Sequence, residues 1–210
     1  MNLRQAQEQL MSKLLPNLSQ FGFSRAQEWS FSRCAGDLIH NTLSFGVKAK
    51  ELGGFSFACG AGVRFESVER LIGRSDDNKY KATIGMPIHL LGGTGVYEEW
   101  FFSERAQLKA LVPEVIGEIT TCALPFFEKF STLDHVRAQL ESESPANWFT
   151  LNPETRIKVL TGILFVQEGP RSALSFLSSA LEATSTQPLL FKGDLMLVKR
   201  RLEGRLSAIS

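Results

Sequence analysis

From Ile39 to Leu90 the apolar residues of this chain fall mostly on alternate positions, and that period of two constrains the fold more than any other feature. Successive side chains of a β-strand point to opposite faces of its sheet, so alternation marks strands with one covered face. Ile39, Leu43, Phe45 and Val47 are apolar, while His40, Thr42, Ser44 and Lys48 take the positions between. The next run repeats the scheme. Phe55, Phe57, Cys59, Ala61, Val63 and Phe65 share one face, and Ser56, Ala58, Gly60, Gly62 and Arg64 the other. A third run sets Tyr80, Ala82, Ile84, Met86, Ile88 and Leu90 against Lys81, Thr83, Gly85, Pro87 and His89.

An earlier run alternates Trp29 and Phe31 with Glu28, Ser30 and Ser32, and Val96 to Phe102 follows the Gly92-Gly93-Thr94-Gly95 turn as a last strand. Gly53-Gly54 suits a hairpin, and Pro87 marks an edge strand or a bulge because it cannot donate to a ladder. The expectation is an antiparallel sheet of about five strands, a usual size, with helices on its apolar face.

Around this stretch the period lengthens to that of a helix. Leu3, Ala6, Leu10, Leu14, Leu18 and Phe21 form one stripe that ends near Gly22, with Pro16 as a kink or break. Glu66 to Ile72 reads as a short helix with Val68, Leu71 and Ile72 inward, followed by an Asp76-Asp77-Asn78 loop. Ser103 is the expected cap of a helical region running through Val115 and Ile119 to Phe130, with Pro113 as a kink or break. A further helix covers about Leu133 to Leu140.

The polar, Pro-containing stretch from Glu141 to Pro145 suggests a boundary, giving an α+β sheet domain over 1–143 and a helical extension over 144–210 packed on it. That extension reads as a hairpin and a terminal helix. Asn152-Pro153 is a cap with Pro in the first turn, Gly169-Pro170 ends one helix and starts the next, and Gln187-Pro188 introduces a third. Gly169, Ala173, Leu177 and Ala180 fall at the small-residue spacings of a tetratricopeptide-like hairpin, but one hairpin is not a repeat array.

Composition narrows the classes of function. With 43% apolar and 21% charged residues the chain is a packed globule. Its 23 basic and 22 acidic side chains nearly cancel, which disfavours a nucleic-acid binder. Met1 to Leu15 carries Arg4, Glu8 and Lys13, unlike a signal peptide, and no uninterrupted apolar run approaches the roughly 18 residues a membrane span needs. Cys34, Cys59 and Cys122 are odd in number and widely spaced, which fits reduced thiols in the cytoplasm better than a disulfide framework or a metal site.

Gly62-Val63-Arg64-Phe65 running into Val68-Glu69, a Trp-Phe pair closing the sheet, and Leu124-Pro125-Phe126-Phe127 before Ser131-Thr132-Leu133 form a combination. Over roughly Leu10 to Leu140 it resembles an uncharacterised bacterial family, the domain of unknown function numbered 4304. The resemblance implies an α+β fold and a bacterial source, and brings no catalytic residues with it.

The face opposite the apolar one carries the candidate binding surface: Glu28, His40, Thr42, Ser44, Gly60, Gly62, Arg64, Thr83 and His89. Its glycines leave a shallow trough that a ligand or another backbone can approach closely. Arg64 is placed to grip a carboxylate or phosphate, so Arg64→Glu is expected to abolish binding with little change in melting temperature. The bland alternative is the wetted face of an antiparallel sheet.

His40 and His89 lie on different runs, and no GxSxG elbow, HExxH helix, dinucleotide fingerprint or phosphate loop followed by Lys-Ser/Thr is present. No catalytic residue, metal or cofactor is therefore assigned. The preferred reading is a protein- or peptide-binding factor, in one version an immunity-type protein that covers a toxin's active site. The rival is a small-molecule binder or enzyme using Arg64, His40, His89 and Glu28 in the trough.

Overall fold

The computed structural model describes residues 1–51, 53–73, 81–92, 98–142, 152–183 and 192–208. It is an α+β protein whose strands form one antiparallel sheet. The chain divides into two compact units, one made of 1–64 and 84–131, the other of 65–83 and 132–210.

The first unit opens with α1 (Leu3–Leu18), held at its start by a capping box: Asn2 Oδ1 accepts from the Gln5 amide and Gln5 Oε1 from the Asn2 amide. Pro16 sits in the last turn without breaking it. Ala6, Leu10, Met11, Leu14 and Leu18 are buried, and a short 3₁₀ turn ends at Gly22, whose φ of 79° is glycine territory.

Four strands follow: β1 (Ser24–Gln27), β2 (Ser30–Gly36), β3 (Ile39–Ala49) and β4 (Phe55–Phe65). The run expected as a strand from Glu28 begins with a turn at Glu28 and Trp29, which separates β1 from β2 and raises the strand count to six among the described residues. The Gly53-Gly54 turn is as expected, with φ of 91° and 79°.

On the far edge of β4 lie β5 (Ile84–Pro87), which pairs with Gly60–Val63, and β6 (Trp100–Phe102), which pairs with Phe55–Phe57. The third run is cut short. Pro87 closes β5 and the chain turns into α3 (Ile88–Leu91), so Ile88, His89 and Leu90 are helical. Val96 and Tyr97 lie outside the described residues, as do Tyr80 and the Asp76-Asp77-Asn78 loop.

Leu43, Phe45, Phe57, Cys59, Val63 and Phe102 are buried on the apolar face of the sheet. Against this face pack α1 and α4 (Arg105–Glu118). The cap of α4 is Glu104, one residue later than expected, and Ser103 instead donates to Gln107 Oε1. Pro113 stays inside α4. A five-residue π-helical segment, Ile119–Ala123, then joins α4 to α5 (Leu124–Lys129). Leu124 donates to Ile119, five residues back, and the wider turn accommodates Pro125, which has no amide to give and whose ring crowds the preceding turn. By length and composition alone, Ala106–Lys129 is long and apolar enough to cross a membrane.

In the second unit α2 (Glu66–Ile72) matches its expected bounds and buries Val68, Leu71 and Ile72. Inside the same unit Thr83 Oγ1 donates to Glu69 Oε1 at 2.7 Å and accepts from the Phe65 amide at 3.0 Å. Helices α6 (Leu133–Glu141), α7 (Pro153–Glu168), α8 (Pro170–Ala183) and α9 (Lys192–Ser207) complete it. Asn152 caps α7 as expected, accepting from the Thr155 amide at 2.7 Å. Leu71, Leu164, Ala173, Leu177, Leu195, Val198 and Leu202 form its core. The region from Glu143 to Pro145, and Gln187-Pro188, lie outside the described residues.

Candidate functional site

The register of the central strands builds the candidate surface. Thr42 Oγ1 donates to the Gly62 carbonyl at 3.2 Å, Ser44 lies against Gly60, and the Lys50 amide donates to the Gly54 carbonyl. Each pair belongs to one antiparallel alignment, and the same step of two sets Gly46 beside Ala58 and Lys48 beside Ser56. Across the other edges Ser32 pairs with Thr42, Ser30 with Ser44, Gly62 with Gly85 and Gly60 with Pro87.

One face of the sheet is thus laid with side chains no larger than Thr or Pro over most of its centre. Thr42, Ser44, Gly60 and Gly62 come together as the sequence predicts. The glycines also permit close packing within the sheet: a Cβ on Gly85 would lie 2.7 Å from the Ala61 carbonyl oxygen.

The remaining predicted residues disperse. Glu28 is exposed in the turn between β1 and β2, where its carbonyl accepts from Arg25. His40 is half-buried on β3, opposite Cys34. Thr83 is buried in its bonds to Glu69 and Phe65. Arg64 is 0% exposed, which removes it as a solvent-facing anion grip. Ser30, Thr42 and Ser56 are buried as well, so the centre of the face expected to be wetted is open at Ser44, Gly46 and Lys48, with Ala58 and Gly60 half-buried.

His89 belongs to the opposite side of the sheet. From α3 its ring packs on Trp100, with centroids 4.5 Å apart, and its Nδ1 lies 3.0 Å from Glu118 Oε2 on α4. Trp100 stacks on Phe57 of the apolar face and donates through Nε1 to Glu114 Oε1 at 3.1 Å. Burial pushes the Glu118 carboxyl above its ordinary range; His89 counters this, while Glu114 and Glu98 add to it. The Cys59 thiol is driven up by burial and by Glu118, which leaves it inert. His89 and Glu118 thus form a packed, hydrogen-bonded pair, and no group of three metal-binding side chains occurs among the described residues.

The rim of the small-residue face is charged and aromatic. Glu99 lies 2.8 Å from Lys50 and 3.5 Å from Lys48, and the hydrogen bond from Lys50, with the charge of both lysines, holds its carboxyl at about 2. Phe101, paired with Ser56, leaves 52% of its surface exposed. Sequence reasoning missed Gly46, Lys48, Glu99 and Phe101. Gly46 and Lys48 carried a signal in their alternation with Phe45 and Val47; Glu99 and Phe101 required the pairing of β6 with β4.

No protein-family model, no curated protein and no solved structure matches this chain.

Proposed function

We propose that the chain is a bacterial cytoplasmic protein-interaction factor that receives another polypeptide on the small-residue face of its sheet. The observation that carries this reading is Gly46. It lies in the interior of an eleven-residue strand, has no positive φ, and a Cβ added to it would meet nothing within 4 Å. Glycine weakens a strand by roughly 0.5–1 kcal/mol relative to alanine, and here neither backbone conformation nor packing calls for it. Close approach of a partner backbone does. The neighbouring Ser44, Ala58 and Gly60 keep the same approach open, and Lys48, Glu99 and Phe101 offer charge and apolar area at the rim. Three free cysteines accord with a reducing compartment.

The test is affinity capture from native lysate with the wild-type chain, Gly46→Ala and Gly46→Glu in parallel. A stoichiometric partner should be weakened by Gly46→Ala and lost from Gly46→Glu, with the melting temperature of both variants at or above that of wild type. A partner held equally by Gly46→Glu, or none at all, overturns the assignment.

A further inference from the structure

A second recess lies on the helical side of the first unit, between α1 and the helix running from α4 into the π segment. It is an open groove of about 630 Å³, within the roughly 300–1,000 Å³ of ordinary ligand sites. Its walls come from Lys13 and Asn17 on one helix and Lys109, Val112, Pro113, Ile116, Gly117, Thr120 and Thr121 on the other.

The groove exists because the row Lys109, Pro113, Gly117 and Thr121, spaced by four along one side of the helix, has short side chains at its centre. Gly117 is exposed in a helix interior, where glycine costs about 1 kcal/mol relative to alanine, and a Cβ there would meet nothing within 4 Å. Its absence of side chain serves no contact inside the protein.

The chemistry is one-sided. Val112, Pro113 and Ile116 supply an apolar floor, while Lys13 and Lys109 are exposed and make no ion pair or side-chain hydrogen bond among the described residues. No acidic residue lines the groove. The carboxylates nearest in sequence are turned to other tasks: Glu8 pairs with Arg25, Glu114 accepts from Trp100, and Glu118 meets His89. The Thr120 and Thr121 hydroxyls are committed to the carbonyls of Ile116 and Gly117, so they leave the floor less polar than their type suggests.

We infer that this groove binds a long-chain aliphatic carboxylate, with the carboxylate between Lys13 and Lys109 and the chain along Val112, Pro113, Ile116 and Gly117. Both ends of such a ligand find their complement, and a neutral or cationic amphiphile finds only one.

Isothermal titration with dodecanoate, kept below its micelle-forming concentration, tests this against dodecyltrimethylammonium, which has the same chain and the opposite charge. Dodecanoate should bind one per chain and the cation should not. Lys13→Glu and Lys109→Glu should each weaken binding by roughly tenfold. Gly117→Leu, which fills the groove, should abolish binding while the melting temperature of the free protein is unchanged or raised. Failure of dodecanoate to bind overturns the inference, as does equal binding of the cation or undiminished affinity in Gly117→Leu. Capture by phosphatidylglycerol vesicles without any binding of monomeric dodecanoate also overturns it, and reassigns the groove to a membrane surface.

Discussion

Arg64 is the bulkiest of the fully buried side chains among the described residues, and a guanidinium taken out of water is sustained only by acceptors arranged around it. Arg64→Glu places a carboxylate among those acceptors and should cost about 3–5 kcal/mol, seen as a large drop in the urea midpoint. An unchanged midpoint would return Arg64 to the role of surface ligand grip that its place in the alternation suggests. The same residue shows the reach of pattern reasoning. Alternation correctly assigned Arg64 to the face of Thr42, Ser44, Gly60 and Gly62, because a period of two decides which residues share a side. It is silent on whether that side is covered. Buried Ser56, Gly62 and Arg64 read as polar-out positions on any strand with one wet face, and only tertiary structure distinguishes the two cases.

At the level of elements, helices were the more legible because their ends carry local chemistry. Asn152-Pro153, Thr132 and Gly169 sit where capping rules put them, and α2 was bounded to the residue. The α3 segment is less so, since Ile84, Met86, Ile88 and Leu90 keep an alternating rhythm through a real change of structure; Pro87 is the signal, and it ends the strand where an edge or a bulge is expected. One helix contact now has a measurable cost. On α7, a Cβ added to Gly162 would lie 2.7 Å from Val68 Cγ1 and 3.3 Å from Ile72 Cγ2 of α2, so the two helices touch through the missing side chain. Gly162→Leu should destabilise by about 1–3 kcal/mol or more through overpacking, read from chemical denaturation, whereas the open position of Gly117 should tolerate the same change. Equal tolerance at both sites would mean that α2 and α7 are not in close contact.

For the molecule as a whole, the division of the chain is not a cut at one point. Residues 65–83 belong with 132–210, so α2 depends on α7 and α9: Arg201 Nη1 donates to the Leu71 carbonyl at 3.0 Å across 130 positions of sequence. A fragment ending at residue 131 keeps Val68, Leu71 and Ile72 but loses their cover. It should bind a hydrophobic-surface dye and run as aggregate in size exclusion, while a monomeric, dye-silent fragment would show α2 to be self-sufficient.

The interleaving also sets a timetable during synthesis. Every segment of the first unit has left the ribosome once Ser131 has emerged, whereas α2 must wait for the helices that complete its core. At roughly 5–20 residues per second the interval between Ser131 and Arg201 is about 3.5–14 s. Throughout that interval a nascent chain carries a finished sheet and an apolar helix still without its cover, and the hazard of misassembly falls on the stretch between β4 and β5.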